Sequence, residues 1–328
     1  MRKKILVTGG AGFIGSHLVD ALMADPRIGF VRVLDNLSTG SRANMSAHFG
    51  KPEFEFIEGD IRDFDTCREA CAGMDLVTHQ AALGSVPRSL KDPLTTHAVN
   101  ITGMLHILHA AQEAGIRRMV YAASSSTYGD SPALPKVESQ IGKPLSPYAV
   151  TKYVNELYAS VYARHFGMEM IGLRYFNVFG PRQSPNGAYA AAIPLFIQHL
   201  IKQTRPTLHG DGSNSRDFTY VENAVQANLL ALFTKNPNAR GEVFNIACGR
   251  QTTLLDLFAI LREKTGVPVE PIFGPERKGD IPHSLASIQK AREMLGYLPQ
   301  IDVEEGLQRT LDWHLNPKAT HYEPVIAH

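Results

Sequence analysis

The stretch "SPYAVTK", residues 146–152, sets a phenol and an ammonium one helical turn apart. Residues i and i+4 of a helix share a face, so Tyr148 and Lys152 present their polar ends to the same side. A phenol is a poor base near neutrality. A cation fixed beside it favours the phenolate and lowers its pKa, so that it can take a proton from a hydroxyl. The same spacing is common on solvated helix surfaces, so the pair acquires meaning only beside a second site.

That second site is "VTGGAGFIGSHL" (7–18), in which Gly9, Gly12 and Gly15 follow a predicted strand and open a predicted helix. Glycines in this position let the backbone turn tightly and approach a pyrophosphate, and the helix N-terminus offers N–H donors and positive dipole to it. Asp35 ends the next predicted strand. A carboxylate there accepts hydrogen bonds from an adenosine ribose and repels a 2′-phosphate, which predicts a dinucleotide site for NAD rather than NADP. Asp60 ends the third predicted strand and is placed to line the adenine. A third polar group, Ser124, Ser125 and Ser126 in "AASSSTYGD" (122–130), leaves a predicted strand at its carboxyl end, where ligands bind in open parallel sheets.

The elements that must carry these groups alternate. Runs at 4–8, 31–35, 54–60, 75–81, 117–124 and 168–176 read as strands, several of them continuously apolar. Helix patterns fall near 12–24, 63–72, 93–114 and 147–166. This alternation predicts an α/β fold with a doubly wound parallel sheet. After 180 the regular alternation ends, and shorter strands and helices form a smaller C-terminal substrate-binding lobe. The expected division is 1–178 and 179–328, with a segment near 217–247 returning to the first sheet.

Composition narrows the classes. The 328 residues are 44% hydrophobic and 20% charged, with a formal net charge of +1, so no strong attraction to nucleic acid or to an anionic membrane is expected. No apolar run approaches membrane-spanning length. Three cysteines, Cys67, Cys71 and Cys248, suggest a reducing, cytoplasmic setting rather than a disulfide framework. The thirteen histidines form no HExxH-type cluster, and no metal is expected.

With these pieces assembled, the chain resembles the extended short-chain dehydrogenase/reductases. "TGGAGFIG", "LDNLSTG", "HQAALGSVPRSLKDP", "NITG", "YAASSSTYGD", "SPYAVTKYVNE", "LRYFNVFGPRQ", "SRDFTYVEN" and "ERKGDIPHS" match that family's signatures in order over nearly the whole length. Within the family it is most similar to UDP-hexose 4-epimerases, and closest to the bacterial branch acting on N-acetylated UDP-sugars. The resemblance implies a Rossmann fold, a tightly bound NAD that is not consumed, and inversion at C4 of a UDP-sugar through a transient 4-keto sugar. Tyr148 matches the base and Lys152 the ribose-binding cation that, with the cofactor's positive ring, depresses the phenol. Ser124 matches a serine bonded to the reacting hydroxyl, with Ser125 and Ser126 able to share that role.

Carried over in the same way, Phe13, Ile14, Asn36, Gly40, Ile61, Ala81, Ala82, Asn100 and Tyr175 join the cofactor set. Ser85, Asn177, Arg216, Arg277 and Asp280 would hold the UDP-sugar, and Ser284 would leave room at C2 for an acetamido group. Ser287 departs from the family, where an Asp is frequent. The related 4,6-dehydratases carry carboxylates where this chain has Ser125 and Ser126, and elimination of water needs that acid and base. A uronate epimerase stays open, since the cation it needs facing C6 is not located by the sequence. A non-catalytic dinucleotide sensor is disfavoured by the intact Tyr148 and Lys152. The resemblance also implies a homodimer, paired through the helices near 93–114 and 147–166, with Met104, Leu105, Leu108, Tyr153, Leu157 and Val161 as candidate contacts.

Overall fold

The computed structural model describes residues 2–185, 191–275 and 282–316. Its first half runs β1 (Lys3–Thr8), α1 (Phe13–Ala24), β2 (Ile28–Asp35), β3 (Phe54–Glu58), α2 (Phe64–Cys71), β4 (Leu76–His79), α3 (Val86–Lys91), α4 (Pro93–His97), α5 (Met104–Glu113), β5 (Arg118–Ser124), α6 (Pro147–Phe166) and β6 (Glu169–Tyr175). The remainder runs β7 (Val178–Phe179), α7 (Ala192–Ile201), β8 (Thr207–His209), β9 (Ser215–Arg216), β10 (Thr219–Tyr220), α8 (Val221–Phe233), β11 (Val243–Ile246), β12 (Thr252–Thr253), α9 (Leu254–Thr265), β13 (Ile272–Gly274), α10 (Gln289–Leu295) and α11 (Val303–Leu315).

Seven strands form one sheet in the order β3-β2-β1-β4-β5-β6-β11, and every pairing in it is parallel. The doubly wound sheet expected from the alternation is therefore present. Its strands are apolar on both faces because helices cover both: Ile5, Leu6 and Val7 are all fully buried. Leu18 and Leu22 of α1, Leu229 and Leu232 of α8 and Leu295 of α10 pack on one face. Cys67 of α2, Ile107 and Leu108 of α5 and Tyr162 of α6 pack on the other. The last strand, β11, reaches the sheet from beyond residue 240. A separate core gathers Phe196 of α7, Phe258 of α9 and Leu307 of α11 with Phe179 and Tyr220.

Two features differ from the sequence expectation. The helix read over 93–114 is interrupted: a π-helical turn, Ala98–Gly103, separates α4 from α5. There Asn100 turns inward and Gly103 packs so close to Ile61 that a Cβ would lie 2.5 Å from its Cδ1. The lobe's strands β7, β9, β10 and β12 are only two residues long, too short to leave a periodic signal. Among the described residues no helix is long and apolar enough to cross a membrane.

Candidate active site

The order of the sheet reverses between β1 and β4, and the carboxyl ends of the strands open there into a cleft of about 530 Å³. The glycine loop forms one wall, and its three glycines have different reasons to be glycine. Gly9 has φ +71, and a Cβ on it would fall 2.6 Å from the Ala81 nitrogen. A Cβ on Gly15 would fall 2.1 Å from the Gly9 carbonyl oxygen. Those two let strand, loop and helix close on one another. A Cβ on Gly12 would meet only the Gly9 oxygen, at 3.2 Å; this glycine keeps the loop's outer surface low. Gly12 is also the N-cap of α1 and makes no side-chain cap bond, so the first-turn N–H groups of Phe13, Ile14 and Gly15, which line the cleft, are left without a cap.

Asp35 stands at the end of β2 and lines the cleft. Its carboxylate accepts from the Ala11 nitrogen at 2.9 Å and the Leu37 nitrogen at 2.8 Å, which ties the strand end to the glycine loop. Burial raises its pKa, and those two N–H groups pull it back. Gly40 supports the loop from behind, where a Cβ would fall 2.7 Å from Ala11. Asn36 and Ile61 line the cleft, while Asp60 sits behind them. The Asp60 carboxylate accepts from Asn36 Nδ2 at 2.8 Å and Arg62 Nη2 at 2.6 Å, and these bonds, Arg62 first, hold its pKa down at about 2.

The other wall is chemical. Ser146 caps α6 by accepting from the Ala149 nitrogen, and Pro147 starts its first turn. The helix then presents Tyr148, Lys152 and Glu156 in succession along one face. Lys152 is 3% exposed, and its Nζ donates to the Ala122 carbonyl at 2.8 Å. Burial lowers its pKa to about 8, and the Glu156 carboxylate opposes that shift. Tyr148 moves upward instead of down: burial raises its pKa, and the group that pulls it back is the hydrogen-bonding Ser124 side chain. Spacing alone has the ammonium dominating the phenol. In the folded chain that ammonium is bonded to a carbonyl, and desolvation governs the tyrosine.

Of the three serines, Ser124 and Ser125 line the cleft. Ser126 stands behind, donating from its hydroxyl to Ser124 Oγ at 2.9 Å, and its backbone N–H donates to the same oxygen at 3.1 Å. Ala81, Ala82 and Tyr175 complete the cofactor side and Ser85 and Asn177 the outer end. Asn177 holds a left-handed backbone, φ +37, a conformation asparagine tolerates better than most residues. Asn100 is buried away from the cleft, where its amide accepts from the Leu83 nitrogen and donates to the Leu83 carbonyl and Thr151 Oγ1. Arg216 donates to the Ser215 and Pro282 carbonyls, and Ser284 lies beside them through its N–H bond to the Ser215 oxygen. Arg277 and Asp280 lie outside the described residues.

Sequence reasoning missed several groups. Gln80 lines the cleft and accepts from Tyr175 OH at 3.1 Å; Asn228 of α8 donates to the same phenol oxygen at 2.7 Å. Gln80 lies within the run read as a strand over 75–81, near its carboxyl end, and was open to inference; Asn228 lies far along the chain and carried no signal. His79 is buried against Thr8 Oγ1 at 2.8 Å, and burial, helped by the Lys152 charge, lowers its pKa to about 3. It is neutral at every physiological pH.

The glycine cradle, the uncapped helix start and the Asp35 carboxylate fit a dinucleotide, and the sheet-edge tyrosine, lysine and serine define an acid–base site next to it. The family profile described as "NAD dependent epimerase/dehydratase family" matches residues 5–247. A UDP-glucose 4-epimerase of Mycolicibacterium smegmatis is 37% identical over 315 residues, which is 95% of this chain and 99% of that one. A solved UDP-N-acetylglucosamine 4-epimerase from Methanobrevibacter ruminantium, in complex with UDP-N-acetylmuramic acid, superposes with a TM-score of 0.91 at 38% identity, over 96% of this chain and 99% of that one. A UDP-glucuronic acid 4-epimerase from Bacillus cereus, in complex with UDP-glucuronic acid and NAD, superposes with a TM-score of 0.88 at 32% identity, over 96% and 99%. The chain belongs to the NAD dependent epimerase/dehydratase family, and its cofactor is NAD.

Proposed function

We propose that the protein is a UDP-sugar 4-epimerase whose preferred substrates are UDP-N-acetylglucosamine and UDP-N-acetylgalactosamine. The observation that carries the reading is the composition of the cleft. Tyr148, Ser124 and Lys152 meet at its sheet edge, and Asp35, at the adenosine end, is the only carboxylate among its described lining residues. A dehydratase needs a carboxylate acid and base at the reacting end.

In this reading Ser124 bonds the sugar 4-hydroxyl and Tyr148 removes its proton. NAD, when bound, supplies a reversible hydride acceptor. The hexose then turns about its bond to the diphosphate so that C4 would regain the hydride on its opposite face, Tyr148 returns the proton to the 4-oxygen, and C4 is inverted. Lys152, one turn along the same helix face, is the cation nearest in sequence to favour the ionised phenol once cofactor and substrate are bound. Gly9, Gly12 and Gly15 hold the pyrophosphate of the cofactor, Asp35 its ribose. Asn177, Arg216, Arg277 and Asp280 hold UDP, and Ser284 leaves volume for the acetamido group. Lys152 is the only cation in the described lining, which favours a neutral hexose over a uronate. The protein is a cytoplasmic homodimer, and NAD stays bound through turnover.

The test is a panel of UDP-GlcNAc, UDP-GalNAc, UDP-glucose, UDP-galactose and UDP-glucuronate, assayed without added NAD. Interconversion of the first pair with the highest kcat/KM supports the reading. Release of one NADH per turnover, or preference for the uronate, sinks it.

A further inference from the structure

The groups assigned to the UDP-sugar lie on three separate stretches, after β6, in β9 and near residue 284, and all three adjoin one buried residue, Asp217. Asp217 is 0% exposed. Its Oδ1 accepts from the Cys248 nitrogen at 2.9 Å, and its Oδ2 from the Gly249 nitrogen at 3.0 Å and the Ala286 nitrogen at 3.2 Å. Its carbonyl accepts from Asn177 Nδ2 at 3.2 Å. The preceding residue is Arg216. One residue further back, the Ser215 carbonyl accepts from the Ser284 nitrogen at 3.0 Å, and the Ser215 hydroxyl pairs with His283 Nδ1 at 2.9 Å.

We propose that Asp217 is the positioning residue of the substrate half: its carboxylate holds the end of β11, the 284–286 segment and β9 in register, so that Asn177, Arg216 and Ser284 face one ligand. This rests on the UDP-sugar reading above. The physical case is that β9 and β12 offer a two-residue ladder, too short to fix anything by itself. A carboxylate accepting several N–H groups forms charge-assisted bonds, about twice as strong as neutral ones. An amide in its place has only one acceptor oxygen and would turn its own NH2 toward a backbone N–H.

Asp217 is paired with N–H groups rather than a cation, so its charge state is exposed to pH. Burial pushes its carboxyl up to about 6, with the Ala286, Cys248, Gly249 and Arg250 N–H groups pulling it back. The other titratable and charged groups around it are the Cys248 thiol and the Tyr297 phenol, both driven upward by burial, the adjacent Arg216, Arg250 and, by way of Ser215, His283. Above about pH 6 the carboxylate accepts all its bonds; below it the proton displaces one of them. Substrate affinity is therefore expected to fall as pH drops, while NAD, held by the first six strands, stays in place.

The experiment measures UDP-N-acetylglucosamine binding to the NAD-loaded protein by calorimetry at pH 7.5 and pH 5.5, for the wild type, Asp217→Asn and His283→Gln. NAD content after denaturation, Tm, KM and kcat are read alongside. The sugar nucleotide's diphosphate is a diester and does not itself titrate in this range. The expected result is a wild-type affinity several-fold weaker at pH 5.5, and Asp217→Asn at least tenfold weaker at pH 7.5 and insensitive to pH. KM should rise more than kcat falls, with full NAD content, and His283→Gln should keep the wild-type pH response. Equal affinity in Asp217→Asn, or a pH response that vanishes in His283→Gln, overturns the inference. If Asp217→Asn does not fold, the wild-type and His283→Gln pH responses decide alone. A wild type that binds no UDP-sugar at either pH removes the functional reading as well.

Discussion

The two halves of the cleft are built by different means. On the cofactor side, Gly9, Asp35, Ala81 and Ser124 stand at the ends of β1, β2, β4 and β5, and their positions follow from a continuous parallel ladder. On the substrate side, Asn177, Arg216 and Ser284 sit on two-residue strands and connecting loops, held by side chains of Asp217, Ser215 and Asn177 itself. A backbone ladder tolerates change in the side chains it carries. A side-chain node does not. The cofactor half should therefore respond to substitutions that touch backbone packing or chemistry, and the substrate half to single polar changes that alter specificity and affinity.

The sharpest separation comes from Tyr148→Phe. Removing the base should lower kcat by about 10²–10⁴-fold, with NAD content and UDP-sugar affinity unchanged, because the interaction is made in the transition state. Turnover within tenfold of wild type would show that another group moves the proton. Gly15→Ala should strike the ladder side directly: the added methyl would sit 2.1 Å from the Gly9 oxygen, so the purified protein should lose bound NAD. Retention of a full complement, read by absorbance after denaturation, would mean the loop gives way cheaply.

On the other half, Ser284→Tyr should act on selectivity. Filling the acetamido volume costs about 1–3 kcal/mol or more, so kcat/KM for UDP-GlcNAc and UDP-GalNAc should drop tenfold or more relative to UDP-glucose and UDP-galactose. A uniform loss on all four would break the comparison, since it would place the damage in the whole lobe. A milder effect concerns Lys152, which burial holds at about 8. Its ammonium is present below that pH and lost above it, so kcat/KM should decline above about pH 8. Glu156→Gln removes the charge that supports the ammonium, and the alkaline limb should move to lower pH. Arg174, bonded to that carboxylate at 2.9 and 2.7 Å, would lose its partner, so Tm should fall too. An unmoved limb would detach Glu156 from Lys152.

The smallest expected effect on chemistry is at the outer face of α6. Met104 and Leu108, two of the contacts expected for a dimer, are fully buried in the subunit's own core and cannot meet a partner. The apolar positions left outward on that side include Leu157, Val161 and Val150, with Leu94 at 82% exposure, while Leu105 and Tyr153 are partly exposed. Leu157→Asp with Val161→Asp should convert a dimer to a monomer in sedimentation while leaving the cleft intact. A wild type that sediments as a monomer at micromolar concentration would refute the pairing itself.

The first six strands of the sheet and the helices α1, α2 and α6 were legible because each carries its own signal: an apolar run, a 3.6-residue period, a serine–proline start. The glycine loop, Asp35 and the Tyr148–Lys152 spacing were legible for the same reason, being local patterns adjoining those elements. The interruption of the helix over 93–114 was not, since a π-turn inserts no distinctive residue. Nor was the direction of the Tyr148 shift. Spacing places a cation one turn away, but whether the cation or desolvation dominates depends on where Nζ finds an acceptor, and Ala122 supplies it from β5.

By itself, then, the sequence determined the alternation, the parallel sheet, the dinucleotide loop and the identity of the candidate acid–base pair, because these are set by residues near one another in the chain. Tertiary structure alone decided that Asn100 spends its amide on Leu83 and Thr151. It alone brought Asn228 to Tyr175 and gathered Asn177, Cys248 and Ala286 around Asp217. Those contacts join segments far apart in the chain, and a hydrogen bond between distant segments leaves no period or spacing to read; only the packed sheet and lobe fix which donor meets which acceptor.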